Sequence, residues 1–358
     1  YGSRGPVAKP RAAGAQGGIG ASGAAGGMRM KYVSLGRSGL MVSRVCLGGN
    51  SWGAAGRRAW AAFGPEESAP FFKRALDLGI NFFDTADAYN LGASETIMGE
   101  KLVGAVPRDE LVISTKVGLK MGPAPNAIGL GRKHMVASLD AQLKRLRTDH
   151  IDVYQVHRLD GVTPLEDVMV TLDGFVRAGK VRHIGGSTMP AYKFAQMIAI
   201  AERRGLARPV AMQNLHNAIQ REEEREMNAL CAEEGVGLIP YSPLARGFLA
   251  GNRTKGGGGA TERAKNDANA KPETYRECDW EILDAIRDIA AARGAKPTQV
   301  ALLWLWSKPA MAAPIIGATK LEQLDDAGAA ADMPALTAAE IARIEKPYLW
   351  RPHPGWNA

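Results

Sequence analysis

Ile151-Asp-Val-Tyr-Gln-Val-His157 is followed by a helix-period segment at Pro164–Ala178 and then by Val181-Arg-His-Ile-Gly-Gly-Ser187. The two runs stay largely apolar rather than alternating, as buried parallel strands do, and each ends in a polar residue. Outward from this unit the same pattern recurs. Further runs lie at Val45–Leu47, Asn81–Asp84, Leu111–Lys116, Val210–Asn214, Gly237–Tyr241 and Ala313–Ile316. Helical segments fall between them at Pro65–Leu78, Lys133–Leu146, Ala191–Arg204, Arg221–Glu234, Pro297–Lys308 and Leu321–Ala330. Eight runs, most spaced about 30 residues apart with helical segments between them, predict an α/β fold of the (β/α)8 TIM-barrel type. An open doubly wound sheet is the rival, but its first loop should carry GxGxxG, and here that loop reads Gly48-Gly-Asn-Ser-Trp-Gly53. Tyr32–Ser43 reads as an N-terminal β-hairpin capping the barrel's lower end. The interval after strand 7 is much longer than the others, which predicts a long loop insertion of irregular chain there. It includes Gly256–Gly259 and the polar stretch to Ala270.

The chain has 358 residues, 46% apolar and 23% charged, with a net charge of +8. Such usage excludes wholesale disorder and a polytopic membrane protein. Part of the basic excess sits in Arg4, Lys9 and Arg11 of a Gly/Ala-rich start that lacks acids. The remainder suits phosphorylated small molecules rather than nucleic acid. Three organisational units are expected: a disordered leader at 1–29, the barrel at 30–348 and a tail at 349–358. The leader's Gly18-Ile-Gly-Ala-Ser-Gly23 matches GxGxxG by letter only, with no strand before it. Cys46, Cys231 and Cys278 are far apart, which predicts no metal site and a reducing, cytoplasmic setting. No run approaches the roughly 20 apolar residues of a membrane span. Gly179, in a near-match to a P-loop, reads instead as a helix C-cap.

In a barrel of this type the chemistry gathers at the carboxyl ends of the strands. Asp84, Lys116 and His157 end successive runs, and Tyr89 follows Asp84 in the same loop. A tyrosine titrates near 10, too high for an efficient acid, and a neighbouring ammonium favours tyrosinate. Lys116 would do this for Tyr89, Asp84 would hold Lys116 charged and aimed, and His157 would donate to an oxygen gaining negative charge. A tuned acid beside a polarising donor suits carbonyl reduction, with hydride supplied from elsewhere. Lys116 could instead act as a Schiff-base nucleophile, which a neighbouring Asp84 disfavours. His216 is a candidate lining residue, and Trp52 and Trp60 are candidates for the substrate wall.

Asn81-Phe-Phe-Asp-Thr-Ala-Asp-Ala-Tyr89 with Ser94-Glu-Thr-Ile-Met-Gly-Glu, Val112-Ile-Ser-Thr-Lys-Val-Gly118 and Asp152-Val-Tyr-Gln-Val-His-Arg158 together resemble the aldo-keto reductase superfamily. Met212-Gln-Asn-Leu-His-Asn and Ile239-Pro-Tyr-Ser-Pro-Leu-Ala-Arg-Gly247 are similar to its microbial and plant branches, which stand closer to potassium-channel β subunits than to aldose reductases. The resemblance spans about residues 31–330. It implies an NADPH cofactor across the barrel mouth and a small-molecule carbonyl substrate, with no membrane or nucleic-acid partner, and leaves homo-oligomerisation open. By motif position Ser187, Thr188 and Gln213 would hold the carboxamide, near Gly48, and Tyr241 would stack on the nicotinamide. Ser242, Leu244, Arg246 and Gly247 would run under the pyrophosphate. Gly317, Thr319, Lys320 and Gln323 would receive the adenosine phosphate, with the amides after Gly317 opening a helix and Lys320 selecting NADPH. Thr188 stands where Asn or Ser is usual, and Ala327 where an Asn commonly reads adenine. Gly49 replaces a commoner Thr, leaving more room near the nicotinamide. The similarity to channel subunits also keeps open a nicotinamide-sensing regulatory protein.

Overall fold

The computed structural model describes residues 30–53, 63–255, 257–259, 265 and 275–352. The expected leader, Trp60 and most of the polar stretch to Ala270 lie outside them. The chain opens with an antiparallel hairpin of β1 (Tyr32–Ser34) and β2 (Met41–Ser43). Gly36 turns it at φ +58°, where a Cβ would meet the Gly235 carbonyl oxygen at 2.3 Å, so no larger residue fits.

Parallel strands follow in chain order: β3 (Cys46–Gly48), β4 (Phe82–Asp84), β5 (Val112–Val117), β6 (Ile151–Val156), β7 (Val181–Ser187), β8 (Pro209–Gln213) and β9 (Gly237–Leu238). A small antiparallel pair, β10 (Arg253–Thr254) with β11 (Gly257–Gly259), leaves the ring before β12 (Ile315–Ile316) rejoins it beside β3. Backbone bonds close the circle: Leu238 N to Ala310 O at 2.8 Å, Ala312 N to Leu238 O at 2.9 Å and Ile315 N to Pro240 O at 2.9 Å. The helices are α1 (Pro65–Asp77), α2 (Ala93–Lys101), α3 (Arg132–Leu146), α4 (Leu165–Arg177), α5 (Ala191–Arg204), α6 (Met227–Glu234), α7 (Glu277–Ala292), α8 (Pro297–Trp306), α9 (Leu321–Asp332) and α10 (Ala338–Glu345). This is the expected (β/α)8 barrel with its hairpin and its insertion after the seventh strand.

Two expectations about elements need correction. The insertion is not irregular throughout, because it contains the sixteen-residue α7. Asp279 caps that helix by accepting from Arg276 N at 2.9 Å, and Trp280, Ile282, Leu283, Ile286 and Ile289 form its buried stripe. The segment Arg221–Glu234 is also broken: a 3₁₀ turn at Glu222–Arg225 precedes α6, with Glu226 leaving the helical region at φ −140°. Gly179 does terminate α4, at φ +73°.

Side chains inside the barrel change character with height. Period-2 alternation sends Cys46, Phe82, Val112, Val153 and Ala211 inward near the bottom, where Leu35 and Val42 of the hairpin pack against them. Two residues higher on β4, β5, β6 and β8 the inward positions are Asp84, Ser114, Gln155 and Gln213, all at most 2% exposed. Leu47, Phe83, Ile113, Tyr154 and Met212 point outward into the larger core beneath the helices. Among the described residues no helix is long and apolar enough to cross a membrane.

Candidate active site

Lys116, on β5, is fully buried, and its ammonium has three acceptors. It donates to Asp84 Oδ2 at 2.7 Å, to the Thr85 carbonyl at 2.7 Å and to the Tyr89 hydroxyl at 3.3 Å. Burial alone would push the Lys116 pKa down, but the Asp84 carboxylate and Tyr89 hold it above its ordinary value. It therefore stays an ammonium. Asp84 is fixed in turn through Oδ1, which accepts from Ser114 at 3.1 Å and from Gln213 at 2.9 Å.

The loop carrying Tyr89 is held at both ends. Thr85 and Ser94 are bonded at 2.8 Å, and Ser94 donates to the Gly49 carbonyl at 2.8 Å. Beyond Tyr89 the backbone turns left-handed at Asn90, Leu91 and Gly92, and Asn90 Nδ2 donates to the Trp52 carbonyl at 2.5 Å. His157 follows β6, its backbone N–H bonded to Val117 O at 2.9 Å. Its ring stands edge-on to Tyr89, with centroids 5.8 Å apart. Asp84, Lys116, Tyr89 and His157 thus converge at one rim.

A polar group behind the loop carried no role in the sequence. Glu95 accepts from Thr115 at 2.5 Å, Gln142 at 2.8 Å and Arg145 at 2.7 Å, and Gln142 also donates to the Lys116 carbonyl at 3.0 Å. Asp87 is completely buried beside them, and burial with the Glu95 carboxylate pushes its pKa up to about 8. Asp87 and Glu95 fall inside the motif stretches Asn81–Tyr89 and Ser94–Glu100, which gave them no role. Their partners lie on other elements.

Asp84, Tyr89 and His157 face a cleft of 920 Å³, with Lys116 directly beneath. Gly48, Ser187, Thr188, Gln213 and Tyr241 line it. Ser242, Leu244, Arg246 and Gly247 line it too, as do Gly317, Thr319, Lys320 and Gln323. Thirteen positions from five separate segments of the chain meet around one space, which suits a dinucleotide. Ser242, Ala245, Arg246 and Gly247 are all left-handed, at φ 53°, 48°, 58° and 93°, a conformation that exposes successive backbone groups and can cradle an anion. Gln213 has its Nε2 committed to Asp84, so Oε1 is the atom able to accept from an amide.

Four expected features are placed differently. Trp52 is 1% exposed, edge-on to Phe72 at 4.4 Å between centroids, and does not line the cleft, whereas Phe63 from the same loop does. The room expected beside Gly49 is filled by that tryptophan, since a Cβ there would stand 2.9 Å from its ring and 2.7 Å from Ser94 Oγ. His216 is fully buried and bonded to Glu224 at 2.9 Å, so it lines nothing. The amides of Thr319 and Lys320 donate to Gln323 Oε1 at 2.8 and 3.3 Å, so a capping side chain already satisfies them. Charge at that end comes from the exposed Lys320 side chain, with Glu322 3.8 Å away. Ala327 is buried in the core, and Asp326 lines the cleft beside it.

A family model described as the aldo/keto reductase family matches residues 44–348. Versiconal hemiacetal acetate reductase of Aspergillus parasiticus is 39% identical over 348 residues, covering 91% of this chain and 99% of that protein. Aldo-keto reductase AMT2 of Alternaria alternata is 37% identical over 351 residues, covering 91% and 94%. Aldo-keto reductase dtxS3 of Metarhizium robertsii is 36% identical over 347 residues, covering 90% of each.

Proposed function

The chain belongs to the aldo/keto reductase family and is an oxidoreductase of small carbonyl compounds, and from that premise we propose that it reduces an aldehyde or ketone to the alcohol with NADPH, using Tyr89 as general acid. One observation carries the reading: a buried ammonium lies 3.3 Å from a phenol and 2.7 Å from a carboxylate at the edge of the cleft. An ammonium so close stabilises the phenolate, which makes the phenol a better donor to a substrate oxygen. Asp84 keeps Lys116 aimed. His157 stands beside the phenol to donate to the same oxygen as it gains negative charge.

When bound, NADPH supplies the hydride that the carbonyl carbon accepts. Tyr89 gives its proton to the oxygen, and the phenolate left behind is balanced by Lys116 until solvent returns a proton. Ser187, Thr188 and Gln213 would hold the carboxamide beside Gly48, and Tyr241 would cover the ring. The left-handed Ser242, Arg246 and Gly247, with Leu244, would carry the pyrophosphate. Gly317, Thr319, Lys320 and Gln323 would receive the adenosine end, with Lys320 favouring the phosphorylated cofactor.

Nicotinamide absorbance followed across a panel of aldehydes and ketones tests the assignment, with NADH in parallel. The wild type should consume NADPH faster than NADH. Tyr89→Phe should cut turnover by about 10²–10⁴-fold while still binding NADPH, since only the general acid is lost. A Tyr89→Phe protein with wild-type rates would end the proposal.

The motif reading further supports the branch nearer channel β subunits than aldose reductases, and one catalytic unit at 30–348 between a leader and a tail. The buried free cysteines suit a cytoplasmic setting.

A further inference from the structure

Thr188 has φ +41°. That conformation is unusual for any residue but glycine and asparagine, and a genuine outlier for a β-branched one. Its position explains what it achieves. Along a strand, successive side chains point to opposite faces, so Ser187 at the end of β7 and the residue after it should diverge. The left-handed turn breaks that alternation. The two hydroxyl oxygens lie 3.3 Å apart, both residues are buried, and both line the cleft.

An unfavourable backbone conformation persists only where surrounding contacts over-determine it. Thr188 N donates to Gln213 O at 3.0 Å, and Thr188 Oγ1 reaches the Tyr241 hydroxyl at 3.4 Å. The remaining contact comes from the end of the neighbouring strand β6, where Arg158 Nη1 donates to the Thr188 carbonyl at 3.2 Å. Arg158 immediately follows His157 and has no part in the proton transfer. We propose that Arg158 is a positioning residue: its guanidinium holds the Thr188 carbonyl, keeps Thr188 left-handed and so sets the paired Ser187 and Thr188 hydroxyls at the nicotinamide end. This rests on reading that pair as the carboxamide site. Arg158 also lines the cleft, so a direct contact with an anionic substrate is the rival to be separated.

The experiment is a comparison of full-length wild type, Arg158→Ala, Arg158→Lys, Thr188→Asn and the Arg158→Ala/Thr188→Asn double variant. NADPH dissociation constants are read from nicotinamide fluorescence without turnover. KM is then read at saturating NADPH for a neutral aldehyde and for one bearing a carboxylate. Arg158→Ala should weaken NADPH binding about tenfold, and Arg158→Lys should recover part of that loss. Asparagine tolerates the left-handed region unaided, so in the Thr188→Asn background removing Arg158 should weaken binding by less than about twofold. KM should change equally for the two aldehydes.

Unchanged NADPH affinity in Arg158→Ala would overturn the proposal, as would an equal loss in both backgrounds. A KM rise confined to the carboxylate-bearing aldehyde would make Arg158 a substrate contact instead. Should Arg158→Ala fail to fold, Arg158→Lys in the wild-type and Thr188→Gly backgrounds carries the same comparison. A wild type that binds no NADPH would refute the cofactor reading itself, a result distinct from a wild type that binds and a variant that does not weaken.

Discussion

Asp87 lies two residues before Tyr89 with no exposed surface, and only Oδ1 is bonded, accepting from Ala88 N at 2.6 Å. Among the described residues Oδ2 has no hydrogen-bond partner. With its pKa pushed up to about 8, the folded chain keeps this proton through a range in which the unfolded chain has lost it. The native state then binds the extra proton, so stability is greatest below the ordinary carboxylate pKa and declines as pH rises toward about 8. Asp87→Asn removes that dependence. Urea melts should show the variant gaining on the wild type by at least about 1 kcal/mol between about pH 5 and about pH 8.5. Parallel curves at the two pH values would show that Asp87 is not held neutral. The tetrad was readable because each member ends a run or follows one closely. Asp87, Glu95 and Gln142 were not, since their environment is made by three different elements meeting.

The hairpin β1–β2 shows what a short element can depend on. Gly36 docks on the loop after α6, with Arg37 N donating to Gly235 O at 2.8 Å. Gly36→Ala places a methyl group inside the Gly235 carbonyl and strains a positive φ, so it should destabilise the protein by at least about 2 kcal/mol. The denaturant midpoint measures this, and an unchanged value would mean the hairpin is free to shift. Strand order, β7 and α5 were legible to the residue, because continuous apolar runs and a strong helical stripe admit one interpretation. The helix α7 was missed because glycines and polar residues fill the chain just before it and set the expectation for the whole interval. The site of Trp52 was missed for another reason. A large aromatic in a rim loop can face inward or outward, and only the vacancy over Gly49 decides.

At the scale of the molecule the C-terminal segment is part of the barrel's support rather than a free tail up to Arg351. Arg351 is bonded to Asp279 of α7, a residue with no exposed surface, and its backbone N–H donates to Glu222 at 3.1 Å. Arg351→Met takes away the ion-pair partner of the buried Asp279 carboxylate and should destabilise the protein by about 3–5 kcal/mol, part of which Arg351→Met/Asp279→Asn should restore, since asparagine keeps the cap on α7 without the charge. Chemical denaturation reads both, and equal losses in the two variants would contradict the pairing. The apolar floor formed by Leu35 and Val42 has a wider consequence. It stops the interior with apolar side chains beneath the polar ring of Asp84, Ser114, Gln155 and Gln213, so the reacting groups face the upper rim. On the proposed reading, a hydrogen ion given up by the phenol would return through the rim that admits reactants, so a dinucleotide stretched over it would act as a cork and recharging would wait for that doorway to clear.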